Sequence, residues 1–231
     1  MAKEQKTREE EAAEIQQHIF EQEVDDELRQ EKLAALWKKY RFIVFGGIIA
    51  IIGGTIAMEW YQAWHLKVRM AESDRFENAV ILSVQGKDDE AFGILRDLGK
   101  NAKTGYRFVA KMEEAGLMLK QKKIREASAL LKELANDEKA PQPVRDAALL
   151  SYVGHNFDSG NTAELIQQLN PLVQNEKGAF YGPAVELVAR MRMLSGDKEK
   201  AQTLLKKALE NPDLTPQTKE ILTLLSEKSE Q

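Results

Sequence analysis

Residues that commonly carry chemistry are sparse in this chain. Its 231 residues include three histidines and no cysteine. His18 lies in an acidic leader, His65 at the edge of an apolar run and His155 inside a later helical segment. No spacing groups them as metal ligands. His155, near Asp158, reads as an ordinary satisfied or exposed helix residue. Without cysteine there is no disulfide, thiolate metal site or cysteine nucleophile, which fits a compartment that oxidises thiols. The chain has no G-x-S-x-G, H-E-x-x-H or phosphate-loop pattern. The acidic run Asp88-Asp89-Glu90 fits a solvated first helical turn, where the helix dipole favours negative charge. These residues predict a non-enzyme with no cofactor, no metal and no small-molecule substrate.

The stretch Phe42–Met58, FIVFGGIIAIIGGTIAM, is seventeen residues long and uncharged. That is the short end of what spans a bilayer as a helix. Trp37 and Tyr40 on one side, and Trp60, Tyr61 and Trp64 on the other, extend it with aromatics that settle at headgroup level. The reading is one transmembrane helix over residues 40–64, with a buried core helix as the bland alternative. Gly46, Ala50 and Gly54 recur every four residues, which sets a small-residue face where another membrane helix can approach closely. The run lies behind a long, mostly acidic leader and ends without a small-residue cleavage pattern. It therefore reads as an uncleaved anchor rather than a signal peptide, and the early acids argue against a transit peptide.

Charge orients the anchor. The fifteen residues before Phe42 hold Arg29, Lys32, Lys38, Lys39 and Arg41, whereas the fifteen after Met58 hold only Lys67 and Arg69. The positive-inside rule puts the N-terminus in the cytoplasm and residues 65–231 across the membrane. The net charge of −4 is uneven: residues 1–59 carry 8 Lys/Arg and 12 Asp/Glu, and residues 60–231 carry 25 of each. The large domain is neutral and has no basic excess to suggest nucleic acid.

Residues 1–14 are rich in Lys, Glu and Gln and are expected to be disordered. From Ile15 an imperfect amphipathic stripe begins (Ile19, Val24, Leu28, Leu33, Leu36) and runs toward the anchor. It reads as a solvated helix or as a short docking helix. The three domains are thus 1–39, a cytoplasmic tail with an amphipathic helix; 40–64, the transmembrane helix; and 65–231, the outer domain. After Trp64 no Pro or Gly occurs until Gly86, so the membrane helix is expected to continue to about Val84.

The outer domain repeats. The segments beginning Gly86-Lys-Asp, Lys122-Lys-Ile, Gly160-Asn-Thr and Gly196-Asp-Lys start 36, 38 and 36 residues apart. Each combines a turn, an acid and a small or apolar residue (Ala91, Ala127, Leu165, Ala201), then a leucine four later. Seven residues before each turn stands Ala79, Ala115, Val153 or Ala189. Small residues on both sides let antiparallel helices approach closely. Gly in the turn supplies the left-handed backbone that ends a helix, and Asp or Asn after it is expected to cap the next. Periods of this length signal stacked helical hairpins. Prolines at 141, 143, 171, 183, 212 and 216 mostly fall between helices, and Thr218–Leu225 reads as a capping helix. The pattern resembles the tetratricopeptide repeat over about Val68–Leu225, without that family's Trp and with longer units. The fold class is all-α: a single N-terminal transmembrane helix followed by a tetratricopeptide-like α-solenoid of about four hairpins.

That resemblance implies that the first helix of each hairpin lines a concave groove. Helical spacing then selects Val109, Met112, Gly116 and Leu119; Ala147, Leu150, Gly154 and Phe157; and Pro183, Glu186, Arg190 and Met193. The candidate protein-binding residues are Val109, Met112, Leu119, Leu150, Phe157 and Met193. They read either as an adaptable apolar groove or as core. The whole layout, with the basic-flanked segment Glu23–Tyr40 before the anchor, resembles the ancillary SecYEG translocon subunit family (YfgM-like). The resemblance implies a single-pass bacterial inner-membrane protein with a periplasmic repeat domain. Its partners would be the Sec translocon, periplasmic chaperones and client polypeptides. The alternative function is an envelope scaffold or cell-division adaptor that recruits folded partners.

Overall fold

The computed structural model describes the backbone of residues 2–157 and 161–230, and the side chains of residues 36–157 and 161–229 except Val44 and Ile48. All regular structure among these residues is helical. The order is α1 Ala2–Val84, α2 Asp88–Asn101, α3 Tyr106–Lys120, α4 Ile124–Ala135, α5 Gln142–Asn156, α6 Thr162–Gln174, α7 Tyr181–Leu194, α8 Lys198–Leu209 and α9 Pro216–Glu230. The chain divides into two compact units, Met1–Trp64 and His65–Gln231.

In the first unit the backbone is helical from Ala2, so the disorder expected over residues 1–14 is replaced by helix. Glu, Lys, Gln and Ala all have high helix propensity, which composition-based reasoning about disorder ignores. The side chains of the stripe from Ile15 to Leu33 lie outside the described residues. Within α1 lies a stretch long and apolar enough to cross a membrane, and none of its described side chains is buried. Phe42, Ile43, Ile49 and Ile51 are each about 70% exposed.

The second unit begins with the last part of α1, which ends at Val84 as the absence of breakers predicts. Its core is a row of four clusters. Ala79 packs with Ala91, Leu95, Leu98 and Ala110. Ala115 packs with Leu131, Leu134 and Ala148. Val153 packs with Leu165, Leu169, Val188 and Met191. Ala189 packs with Leu205, Ala208 and Leu222. Each cluster joins one hairpin to the first helix of the next element, the nearest-neighbour architecture of a solenoid. The eight repeat positions singled out by spacing are all buried: Ala79, Ala91, Ala115, Ala127, Val153, Ala189 and Ala201 are fully enclosed, and Leu165 is 4% exposed.

The hairpin turns share one chemistry. At Gly86 the amide of Lys87 donates to the Leu82 carbonyl at 2.9 Å, and the Gly86 amide donates to Ser83 at 3.1 Å. Lys123 donates to Met118 and Lys122 to Leu119 in the same way, as do Asp197 to Arg192 and Gly196 to Met193. This is the paired bonding of the Schellman motif, with a left-handed residue just past the helix. The φ values are +79° at Gly86, +84° at Gly196 and +61° at Lys122, where a side chain occupies glycine's place. The corresponding Gly160, like Asp158 beside His155, lies outside the described residues.

Two local expectations are corrected. Asn161 and Asp197 sit at the N-caps of α6 and α8 but make no side-chain cap bond. Asn161 instead donates to the Glu164 carboxylate, and the Asp197 carboxylate takes Lys200 at 2.9 Å. At Asp197 the Schellman turn leads straight into α8 and leaves the cap residue no freedom to fold back. Pro171 lies inside α6 rather than between helices. Pro143 and Pro183 lie in the first turns of α5 and α7, and Pro216 opens α9, where a missing amide hydrogen bond costs nothing.

Candidate functional site

The first helices form the tighter layer of the solenoid. α3 packs on α5, α5 on α7 and α7 on α9, whereas among the described residues the backbones of the second helices α4, α6 and α8 stay farther apart. A row of helix pairs whose first members lie closer together than its second members curves toward the first members. The inner face is therefore built by α3, α5, α7 and α9.

All six candidate groove residues are half-buried. Met112 and Leu119 rest on the cluster of Ala115, Leu131 and Leu134. Leu150 and Phe157 rest on the cluster of Val153, Leu169 and Val188. Phe157 and Met193 come together in an open cavity of about 490 Å³, with Leu194, Arg190, Leu225 and Lys228 around them. Val109 lines a different cavity of about 640 Å³ with Tyr106, Pro141 and Val144. Met112, Leu119 and Leu150 line neither. Gly116 is open, with nothing within 4 Å of where a Cβ would stand. Arg190 pairs with Glu186 at 2.7 Å along α7.

Three residues of the Phe157 cavity escape the repeat spacing. Leu194 is 68% exposed in the last turn of α7. Leu225 and Lys228 are three residues apart on α9, which follows no further turn of the repeat and so has no register to be read from. The i, i+3 spacing of an apolar and a basic residue on one face of α9 is the signal that points to them.

The inner face is held in place at both ends. At one end the buried Glu72 carboxylate accepts the amides of Lys103 at 2.7 Å and Thr104 at 3.1 Å, and the Thr104 hydroxyl. Tyr106 donates to Ser73 Oγ at 2.7 Å and stacks near Phe76. These bonds fix the α2–α3 turn to the outer part of α1. Nearby, the Arg75 guanidinium and the Asn101 amide hold the Asp97 carboxyl below its ordinary range. At the other end α9 starts with a capped turn: Thr215 Oγ1 accepts the Thr218 amide at 3.2 Å and lies 2.8 Å from the Thr218 hydroxyl. Gly182 lets α9 close on α7, since a Cβ there would stand 2.4 Å from Thr218 Cγ2. Burial pushes the Tyr181 hydroxyl above its ordinary pKa, and the hydrogen bond to Glu176 raises that of Lys207.

On the apolar stretch of α1, Gly46, Ala50 and Gly54 are exposed, and nothing lies within 4 Å of a Cβ built at either glycine. The small-residue face is thus open. Among the described residues no group of three His, Cys, Asp or Glu side chains is placed to hold a metal ion. His65 and His155 lie on separate helices of the second unit, and the side chain of His18 is outside the described residues.

Comparison with solved structures shows a tetratricopeptide-like fold. A kinesin-light-chain-type protein from Podosopora anserina with nearly identical TPR-like repeats matches with a TM-score of 0.53. A single-substitution variant of it matches with a TM-score of 0.54. Each is 16% identical to this chain, covering 68% of it and 84% of the matched chain. No curated protein matches the chain. Residues 18–227 match the family described as protein of unknown function DUF2659, so the leader, the apolar stretch and the solenoid together make this chain a member of that family.

Proposed function

We propose that this chain is a membrane-anchored protein-interaction module whose inner solenoid face holds apolar segments of partner proteins. The observation that carries the reading is the cavity of Phe157 and Met193. Large apolar side chains at inner positions stay half-open there, beside a Leu194 that is 68% exposed. Exposed apolar surface in a concave setting marks an interaction site. The anchor is the Phe42–Met58 stretch, and the basic flank before it puts residues 65–231 on the far side of the membrane. The resemblance to the ancillary translocon subunits supports a finer reading. In it the protein sits beside the Sec translocon in a bacterial inner membrane and helps periplasmic chaperones receive translocated chains.

Two measurements test this. Protease added to spheroplasts is expected to digest residues 65–231 and spare the N-terminal tail, and a protected solenoid reverses the topology. Leu194→Glu with Met193→Glu is expected to abolish partner recovery from membranes while leaving the thermal midpoint within a few degrees. Undiminished recovery removes the inner face as the binding surface. Recovery of a fixed set of folded envelope proteins, in place of chaperones and unfolded chains, makes the protein a scaffold.

A further inference from the structure

We propose that the cavity lined by Arg69, Lys103, Tyr106, Val109, Pro141 and Val144 is a docking site for the phosphate of an anionic phospholipid headgroup. The proposal rests on the membrane-anchored reading above and adds a ligand that the reading does not require.

Charge is the first argument. The cavity lining carries the bases Arg69 and Lys103 and no acid, in a second unit that is close to neutral. Of the other bases between Leu98 and Met112, Lys111 is paired with Glu133 at 2.8 Å and Lys100 lies near the Glu114 carboxyl. The Glu72 carboxylate is engaged by two amides and a hydroxyl of the α2–α3 turn. Arg69 is exposed and makes no hydrogen bond or ion pair with the described residues. A guanidinium left open in this way presents the planar fork that matches a phosphate.

Position is the second argument. His65 follows Trp64, the last aromatic of the membrane flank, and also lines the cavity. In sequence Arg69 follows Trp64 by only five residues, so this base comes directly after the membrane flank. The apolar part of the lining, with Val109, Pro141 and Val144, suits the glycerol and first ester carbons of a lipid better than a free phosphate.

The test uses the full chain in nanodiscs of phosphatidylcholine alone, or of phosphatidylcholine with phosphatidylglycerol. Hydrogen exchange is read at the amides of residues 103–109, with α7 and α8 as a fold control. Anionic lipid is expected to slow exchange there by at least about tenfold, the scale for two basic residues at an anionic surface. Arg69→Gln with Lys103→Gln is expected to lose that slowing, and Lys198→Gln with Lys228→Gln to keep it. Equal exchange in both nanodiscs overturns the site. So does equal slowing by inorganic phosphate in phosphatidylcholine discs, which assigns the cavity to a soluble anion. Slowing produced only by an acidic peptide assigns it to a protein partner and likewise overturns the lipid. Failure of the chain to co-elute with either nanodisc overturns the anchored reading and this site with it, whereas co-elution without lipid-dependent slowing overturns the site alone.

Discussion

Replacing Gly182 with alanine tests how α9 is seated, and hence what closes the Phe157–Met193 cavity. The new Cβ would lie 2.4 Å from Thr218 Cγ2 and 3.2 Å from Leu214 Cδ2. The leucine contact is relieved by a few tenths of an ångström. The threonine contact is not, because Thr218 is β-branched and stiff, and its hydroxyl lies 2.8 Å from that of Thr215 at the start of α9. Rotating it away sacrifices the capping contact, and keeping it forces α9 off α7. Overpacking of this kind costs about 1–3 kcal/mol. Replacing glycine in a helix returns about 0.5–1 kcal/mol, which leaves a net loss of about 1.3 kcal/mol at the midpoints of the two ranges. At about 2–4 °C per kcal/mol for a domain of this size, the thermal midpoint by circular dichroism should fall by roughly 3–5 °C. Thr218→Ser removes the clashing methyl and keeps the hydroxyl, so the double variant should recover most of the loss. A Gly182→Ala protein as stable as the parent, or one that Thr218→Ser does not rescue, refutes the seating of α9 on α7.

Further expectations concern the turns, a buried acid, the inner face and the anchor. Lys122→Gly should stabilise by up to about 1 kcal/mol in urea unfolding, because it removes a side chain from a left-handed position at some cost in unfolded-state entropy. Burial pushes the Glu114 carboxyl up against the pull of Arg96, Lys100 and Lys111, with Glu133 adding to the rise. A raised folded-state pKa favours the fold below the unfolded value of 4.5 and stops doing so as pH rises through the folded value. Glu114→Gln should therefore raise the thermal midpoint at neutral pH and lose that advantage below about pH 4.5. Met112→Ser with Leu150→Ser should cost about 2–5 kcal/mol, half the cost of two full core truncations, because each residue is half-buried on a different cluster. Gly46→Leu with Gly54→Leu should reduce recovery of membrane complexes without impairing insertion, and unchanged recovery leaves the glycines as ordinary membrane residues.

What could be read from the sequence follows from the range of each interaction. The eight small or apolar residues at the hairpin crossings were legible because their spacing recurs. The end of α1 at Val84 was legible from the lack of breakers. Lys122 was legible as a turn residue from its register alone, although its type argues for helix. The missing cap at Asp197 was not, because a cap and a Schellman turn compete for the same few residues. Gly182 carried no local sign of its role, since its need for space comes from Thr218, thirty-six residues later. The sequence left the inner residues open between groove and core. Half-burial puts all six between the two, and cavities single out Val109, Phe157 and Met193.

The most direct test of the inner face as the binding surface is site-specific photocrosslinking in membranes, with products identified by mass spectrometry. Probes go at Phe157, Met193 and Leu194 on the inner layer, and at the exposed Glu126 and Gln167 on second helices α4 and α6. Adducts to partner proteins are expected from the three inner positions and none from the two outer ones. Equal yields from both sets, or adducts from the outer positions alone, would contradict binding at the inner face.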